Sequence, residues 1–216
     1  EAKLANYLDV EHCIVVSNGT VGLELAIKAL GLTGEVIVPS FTFVATAHAL
    51  RWHGIQPVFC DIDENTLCID PAQVGSLITP ATSAIMGVHV YGRSCDVESL
   101  QQVAAEQDLH LLFDAAHAIG CTSGRQHIGS FGECEVFSFH ATKVFNTFEG
   151  GAIVCPDADT KQHIDYLKNF GFANEVTVVA PGINGKMSEF NAALGLLQLK
   201  HHDEAVARRK EIESRY

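Results

Sequence analysis

Short apolar runs, most of them rich in β-branched residues, recur along most of the chain, and stretches with helical periodicity follow most of them. Near-continuous apolar strands that alternate with helices are typical of a mainly parallel sheet covered on both faces. The pattern therefore predicts an α/β fold in which helices sandwich one sheet. The seven predicted strands are CIVVS, EVIVPS, PVFCDID, AIMGVHVYG, LHLLFDAA, CEVFSF and GGAIVC.

The predicted helices carry start and stop signals. The stretch TVGLELAIKALGL presents apolar side chains on one face and then meets Gly31, which favours a helix end. Asp96 is the expected N-cap of a second helix, DVESLQQVAAEQD. A further helix is expected in DADTKQHIDYLKNFGF, and an irregular loop in ANEVTVVAPGINGKMS.

The last part of the chain predicts one long helix. It begins with a cap at Ser188, runs through residues 188–216 and carries apolar Phe190 and Leu197. We expect one large domain over residues 1–187, with the long helix leading towards a further domain. The opening stretch, EAKLANYLDV, also reads as a helix already under way, so we expect the chain to be part of a longer protein.

Composition narrows the class of protein. With 216 residues, 47% of them hydrophobic, the chain is long enough to bury a substantial core. Its net charge of −12 and the lack of a basic cluster argue against a nucleic-acid surface. No apolar run approaches the ~20 residues of a membrane span. Seven cysteines without a Cys-x-x-Cys pair predict reduced thiols in a cytoplasmic protein, and we predict no metal site.

The first candidate for chemistry lies where a predicted strand meets a helix, in VVSNGTVGLELA. In parallel sheets, ligands bind beyond the carboxyl ends of the strands. Gly19 permits close approach of the backbone, and the free N–H groups of the new helix form an anion site that suits phosphate. An ordinary capped helix start would explain the same residues.

The second candidate is Asp114, which ends an apolar strand in LHLLFDAAHAIG. A buried carboxylate needs a positive partner, and a protonated ring nitrogen would serve. The alternative is an aspartate that caps the following turn. His117 lies nearby and could stack or hydrogen-bond with a ligand, or be a structural histidine.

The third candidate is Lys143, which follows the next strand in FSFHATKVFNTFEGG. A lysine in a dry pocket has a lowered amine pKa and can attack a carbonyl to form a Schiff base. A lysine that directs its amine to solvent is the alternative. Taken together, a phosphate nest, an acid for a pyridinium and an amine for an aldehyde are the three features that hold pyridoxal 5′-phosphate (PLP).

The chain resembles the DegT/DnrJ/EryC1/StrS family of sugar aminotransferases, which are fold-type I PLP enzymes. The resemblance rests on segments in family order across nearly the whole chain: VSNGTVGLELAIKALGL, EVIVPSFTFVATAHAL, PVFCDID, FDAAHAIG, FSFHATKVFNTFEGGAIV and INGKMSEFNAALGLLQL. It implies an α-β-α sandwich with a mainly parallel seven-stranded sheet. It also implies that residues 1–187 are the PLP-binding large domain, and that the family's N-terminal segment and small C-terminal domain are absent.

The resemblance also implies roles for three catalytic residues. Lys143 would be the Schiff-base lysine that holds the cofactor and moves the proton during the reaction. Asp114 would pair with the pyridine nitrogen. His117 would lie beside the ring or its 3-hydroxyl group.

Further cofactor contacts follow from the same resemblance. Gly19, Thr20 and Ser138 would bind the phosphate, and Phe43 would stack on the ring face. Asn184 would reach the phosphate of the neighbouring subunit in a dimer. From the residues alone, Phe43 could equally be core, Ser138 could bond locally and Asn184 could be a turn residue.

The implied reaction is transfer of an amino group from glutamate to a nucleotide-linked keto-deoxysugar. Such reactions serve deoxyamino sugar and cell-surface polysaccharide synthesis, including that of lipopolysaccharide. One branch of the family has histidine in place of the lysine and performs dehydration, so Lys143 favours transamination. The resemblance further implies a homodimer with shared active sites. The alternatives are a PLP-dependent lyase, dehydratase or racemase on the same scaffold, and a non-catalytic regulatory protein.

Overall fold

A computed structural model describes all of residues 1–216, and one seven-stranded sheet lies at its centre. The strands are β1 (His12–Val16), β2 (Glu35–Pro39), β3 (Gln56–Cys60), β4 (Thr82–Val88), β5 (His110–Asp114), β6 (Thr122–Ser123), β7 (Gln126–His127), β8 (Cys134–Ser138) and β9 (Gly151–Cys155). The order in the sheet is β1-β9-β8-β5-β4-β2-β3, and β6 and β7 form a separate hairpin. Only β9 runs antiparallel to its neighbours, β1 and β8. The predicted seven-stranded, mainly parallel sheet is confirmed.

Helices cover both faces of this sheet. They are α1 (Ala2–Leu8), α2 (Gly19–Ala29), α3 (Ala45–Trp52), α4 (Pro71–Val74), α5 (Val97–Glu106), α6 (Ala158–Leu167), α7 (Glu189–Gln198) and α8 (His202–Glu213). Buried side chains of α2, α3 and α6 join a core cluster of 21 residues on one face, and those of α1, α4 and α5 join a cluster of 27 on the other. The predicted α-β-α sandwich is therefore confirmed. None of these helices has the length and apolar character that crossing a membrane requires.

The predicted helix signals act as expected. The side chain of Asn18 accepts a hydrogen bond from Val21 N at 2.9 Å and so begins α2 directly after β1. Asp96 accepts from Ser99 N at 3.1 Å and begins α5. Gly31 takes a positive φ of 66° just after α2, a conformation that costs glycine little.

The prediction of one helix over residues 188–216 is wrong, because the chain breaks between α7 and α8. Lys200 N and His201 N bond to acceptors three residues back, which tightens the turn and redirects the chain. The side chain of His202 is then buried between the rings of Tyr7 and Phe145. The cap at Ser188 is as predicted, and its hydroxyl accepts from Asn191 N at 3.2 Å.

Candidate active site

A cavity of about 870 Å³ opens at the carboxyl ends of β4, β5 and β8, beside the N-terminus of α2. This is the edge where parallel α/β sheets bind ligands. Seven of the eight residues predicted for the site line this cavity: Gly19, Thr20, Phe43, Asp114, His117, Ser138 and Lys143. The eighth, Asn184, lies outside its wall.

The N-terminus of α2 is packed closely against β8 and β9. A Cβ atom on Gly19 would lie 3.0 Å from Ser138 Cβ, and one on Gly151 would lie 2.8 Å from Phe137 O and 2.9 Å from Gly19 N. Glycine at both positions therefore lets three stretches of main chain meet. The first N–H groups of a helix have no acceptors within it, so this corner offers donors to an anion.

Asp114 is buried at the end of β5, with 5% of its surface exposed. Its Oδ2 accepts from Thr46 Oγ1 at 2.8 Å, and its Oδ1 accepts from Ala116 N at 3.0 Å. None of the chain's ion pairs includes this carboxylate. Because a buried carboxylate is costly without a cation, this site fits a cationic group of a ligand, such as a protonated pyridine nitrogen.

Thr46 is a site residue that sequence reasoning missed. It is fully buried on α3, and its hydroxyl lies 2.8 Å from the hydroxyl of Thr42 as well as bonding Asp114. Thr46 therefore orients the carboxylate from α3, and the hydroxyl of Thr42 contacts that of Thr46. The only signal in the sequence is a hydroxyl residue on an otherwise apolar helix face, which is too common to single out.

Lys143 lies in a tight turn after β8 and is partly buried at the cavity wall. Its main-chain N–H donates to His140 O at 2.8 Å, which closes the turn. Burial of the amine lowers the pKa of Lys143, while the negative charge of Asp114 acts in the opposite direction. A lowered pKa increases the neutral fraction of the amine, which is the form that attacks a carbonyl.

Two residues that sequence reasoning did not select stabilise this turn. His140 Nδ1 lies 2.9 Å from Thr142 Oγ1 and 3.3 Å from Thr142 N, and its Nε2 lies 3.5 Å from a carboxylate oxygen of Glu149. His140 and Glu149 both line the cavity. They lie on either side of Lys143 in the sequence and hold together the segment that presents its amine.

His117 lies at the cavity wall, and its Nδ1 accepts from Tyr91 N at 3.1 Å. Its ring is parallel to that of Tyr91, with centroids 5.9 Å apart. Partial burial lowers the pKa of His117, and so does the positive charge of Lys143, while Asp114 raises it. The imidazole is therefore favoured in its neutral form.

Three predicted contacts have distinct surroundings. Phe43 is 73% exposed on the cavity wall, so the alternative of a core residue is wrong for it. Ser138 Oγ has one long bond, from His140 N at 3.4 Å, which leaves most of its bonding capacity for a ligand. Asn184 is exposed and forms a main-chain bridge with Asn169, so it does not contact the cavity of its own chain.

The cavity brings together a lysine and a buried aspartate without an ion-pair partner, on a sheet covered by helices on both sides. This arrangement is the one that PLP-dependent transferases use. The chain belongs to the DegT/DnrJ/EryC1/StrS aminotransferase family, whose model matches residues 1–216. The predicted family is therefore confirmed.

Individual relatives agree with this assignment. The chain is 49% identical over 203 residues to a dTDP-4-amino-4,6-dideoxy-D-glucose transaminase of Shigella dysenteriae. The aligned residues cover 94% of this chain and 55% of the relative. The structure of DesI in the presence of its TDP-sugar product matches with a TM-score of 0.90 and 52% identity, over 94% of this chain and 52% of that one. The chain thus spans little more than half the length of these relatives.

A third relative bears on the cofactor. The Streptococcus pneumoniae protein Spr1654 in its PLP-form matches with a TM-score of 0.93 and 30% identity, over 100% of this chain and 62% of that one. The same protein has also been solved in its PMP-form. Enzymes of this family depend on PLP, as predicted, and the cavity described above has the residue types that this cofactor requires.

Proposed function

We propose that this chain is the cofactor-binding part of an aminotransferase that transfers an amino group from glutamate to a nucleotide-linked keto-deoxysugar. The observation that carries the proposal is the juxtaposition of Lys143 and Asp114, which line one cavity and lie close enough for the charge of Asp114 to raise the pKa of Lys143. A cavity of about 870 Å³ lies within the usual range for cofactor and substrate sites. The names of the relatives support the substrate class.

The residues of the chain would divide the work in the following way. Gly19, Thr20 and Ser138 bind the phosphate at the N-terminus of α2, where the helix dipole favours an anion. Asp114 holds the ring nitrogen in its protonated form. When bound, PLP supplies an electron sink for the carbon from which the proton is removed.

Proton transfer is assigned to Lys143. Its partly buried amine has a lowered pKa, which makes it a better-matched group for accepting and returning a proton. His117 offers a hydrogen bond from the cavity wall, and the exposed ring of Phe43 provides an apolar surface for a flat cofactor. Closing such a surface over the cofactor would exclude water from the reacting atoms.

We further propose a homodimer with shared sites. Several large apolar side chains are exposed around the cavity and on the following segments: Phe43, Phe148, Phe170, Val176, Phe190 and Leu197. Exposed apolar patches of this kind mark protein interfaces. Asn184 lies outside its own cavity, which is compatible with donation to the phosphate site of a second subunit.

Mixed dimers would test this sharing of sites. We expect Lys143→Ala and Asn184→Ala to be poorly active alone, and activity to return in part when the two are refolded together, because one complete site then forms. No recovery from a mixture of demonstrated dimers would contradict the role of Asn184.

A cytoplasmic location and a role in cell-surface polysaccharide synthesis, such as that of lipopolysaccharide, are also proposed. All seven cysteines are free thiols, which suits a reducing compartment. Nucleotide-linked deoxyamino sugars are the form in which such polymers receive their sugars. Cell fractionation would test the location, and loss of the amino sugar from the polymer in a deletion strain would test the role.

Absorbance spectroscopy tests the activity most cheaply. We expect the protein to turn yellow with PLP and to lose this colour when glutamate is added, and a panel of nucleotide keto sugars to restore it with one preferred substrate. Colour that glutamate leaves unchanged would favour a lyase, dehydratase or racemase. Absence of colour with added PLP would favour a regulatory protein, or a chain that spans too little of its relatives' length to bind the cofactor.

A further inference from the structure

The loop that joins β4 to α5 meets His117 at the edge of the cavity. Tyr91, in this loop, donates its main-chain N–H to His117 Nδ1 at 3.1 Å, and the planes of the two rings differ by only 6°. Phe41 approaches the same tyrosine ring edge-on, with centroids 6.1 Å apart. The imidazole is therefore held by one hydrogen bond and one ring face.

The backbone of this loop is held in an uncommon conformation. Tyr91 has φ 54° and ψ 22°, in the left-handed region that residues with a Cβ atom rarely adopt. A Cβ atom on the next residue, Gly92, would lie 3.0 Å from Cys121 Sγ and 3.2 Å from His117 O. The loop is thus pressed against the turn that carries His117. Such conformations persist only where the surroundings determine them.

A buried pair of side chains fixes the conformation of this loop. His89 and Glu135 are both fully buried, and His89 Nε2 lies 3.4 Å from Glu135 Oε2. His89 Nδ1 accepts from Cys95 N at 3.1 Å, and its ring stacks on Phe113 at 4.7 Å. One histidine at the start of the loop therefore bonds to its far end and fixes the arc that contains Tyr91.

The hydrogen bond to His117 has a chemical consequence. A neutral imidazole that accepts a hydrogen bond at Nδ1 must carry its proton on Nε2. We propose that Tyr91 is a positioning residue, which holds His117 as the Nε2–H tautomer through its main-chain N–H and its ring. Its importance for catalysis rests on the proposed function, because a fixed Nε2–H donor at the cavity wall suits an oxygen acceptor on the bound cofactor or substrate.

Nitrogen NMR of histidine side chains tests the tautomer directly. The ¹⁵N-labelled protein without added cofactor is measured at a pH where His117 is neutral, and its signals are assigned by their loss in His117→Gln. We expect an unprotonated Nδ1 and a protonated Nε2. A proton on Nδ1, or the averaged signals of two exchanging tautomers, would overturn the proposal. The result does not depend on turnover, so it is separable from failure of the proposed function.

Two variants separate the contribution of the Tyr91 ring from that of its main-chain N–H. Tyr91→Phe keeps the ring, whereas Tyr91→Ala removes it but keeps the Cβ atom and therefore a similar backbone preference at φ 54°. We expect Tyr91→Phe to retain the tautomer and the imidazole pKa of the wild type. Tyr91→Ala should keep the Nε2–H tautomer, because the main-chain N–H remains, but should raise the pKa of His117, because partial burial lowers that pKa.

The charges of Lys143 and Asp114, which also act on His117, are the same in both variants. If Tyr91→Ala and the wild type have identical NMR spectra and the same imidazole pKa, the ring of Tyr91 does not position His117. If Tyr91→Ala folds poorly by circular dichroism, Tyr91→Gly removes the ring without backbone strain and decides the same question.

Discussion

Two buried carboxylates lie on neighbouring strands of the sheet and have opposite surroundings. Asp114 on β5 pairs in register with Val136, and Glu135 on β8 pairs with Phe113. Because side chains alternate along a strand, the two carboxylates lie on opposite faces of the sheet. Asp114 borders the cavity, whereas Glu135 lies within the opposite core.

Their hydrogen bonds show what each one does. Glu135 Oε1 accepts from Gly129 N at 2.8 Å and from Phe131 N at 2.7 Å, and its other oxygen faces His89. The chain itself therefore supplies two donors to Oε1 of Glu135, whereas Oε2 lies beside His89 without a hydrogen bond. Asp114 receives one hydroxyl and one N–H and no cation. Burial alone does not mark a functional carboxylate; a missing cationic partner beside a cavity does.

The largest effect should come from Asp114→Asn. The neutral amide can no longer favour a protonated ring nitrogen, so we expect turnover to fall roughly 100-fold or more. Cofactor should still bind, because Lys143 and the phosphate contacts remain. The exposed Asp108, just before β5, provides a matched control as Asp108→Asn. Near-normal turnover of Asp114→Asn would contradict its role.

Glu135→Gln should act on stability instead. The amide oxygen can keep the two bonds from main-chain N–H groups, but the NH2 group then replaces the carboxylate oxygen that faces His89 Nε2. Because His89 Nδ1 accepts from Cys95 N, Nε2 is itself a donor, and a buried donor that faces another donor costs about 1–3 kcal/mol. We expect the free energy of unfolding in urea to fall by that amount. The same substitution at Glu133, which forms a half-exposed pair with His110, should cost at most about 1 kcal/mol. Equal losses in the two variants would show that burial of Glu135 does not matter.

A smaller effect is expected at the hydroxyl that orients Asp114. Thr46→Val is close to isosteric but removes the 2.8 Å hydrogen bond, which contributes about 0.5–1.5 kcal/mol. We expect turnover to fall by roughly tenfold or less, the rate equivalent of that energy. Thr46→Ser should restore most of it. A serine variant as impaired as the valine variant would point to packing rather than the hydrogen bond.

The smallest effect concerns the pKa of Lys143. The negative charge of Asp114 raises this pKa against the effect of burial, so Asp114→Asn should lower it further. The pH dependence of covalent attachment of PLP, followed by borohydride reduction, should then shift to lower pH. A shift to higher pH would show that the two groups do not interact as the structure indicates.

Only some of the residues in these two carboxylate sites can be predicted from the sequence. Asp114 and Lys143 could be found because each follows an apolar strand, and parallel strands bring their carboxyl ends to one edge. Thr46 could not, since its contact with Asp114 joins positions 68 apart and depends on how α3 packs. Neither could Glu135, because nothing local distinguishes a glutamate within CEVFSF that finds two backbone donors.

Some features of the fold can likewise be predicted from the sequence, and others cannot. Apolar strands that alternate with helices predict the mainly parallel sheet, whereas the break after α7 carries no proline or glycine signal. It arises from tertiary packing of His202 against Tyr7 and Phe145. The hairpin of β6 and β7 was not predicted either, because its strands have two residues each.

Borohydride reduction of the PLP-treated protein, followed by mass mapping of its peptides, tests the central claim most directly. We expect one equivalent of reduced cofactor on the peptide that contains Lys143, and none at that site in Lys143→Ala. Attachment at another lysine in the wild type, or unchanged labelling of the variant, would show that the amine beside Asp114 does not hold the cofactor.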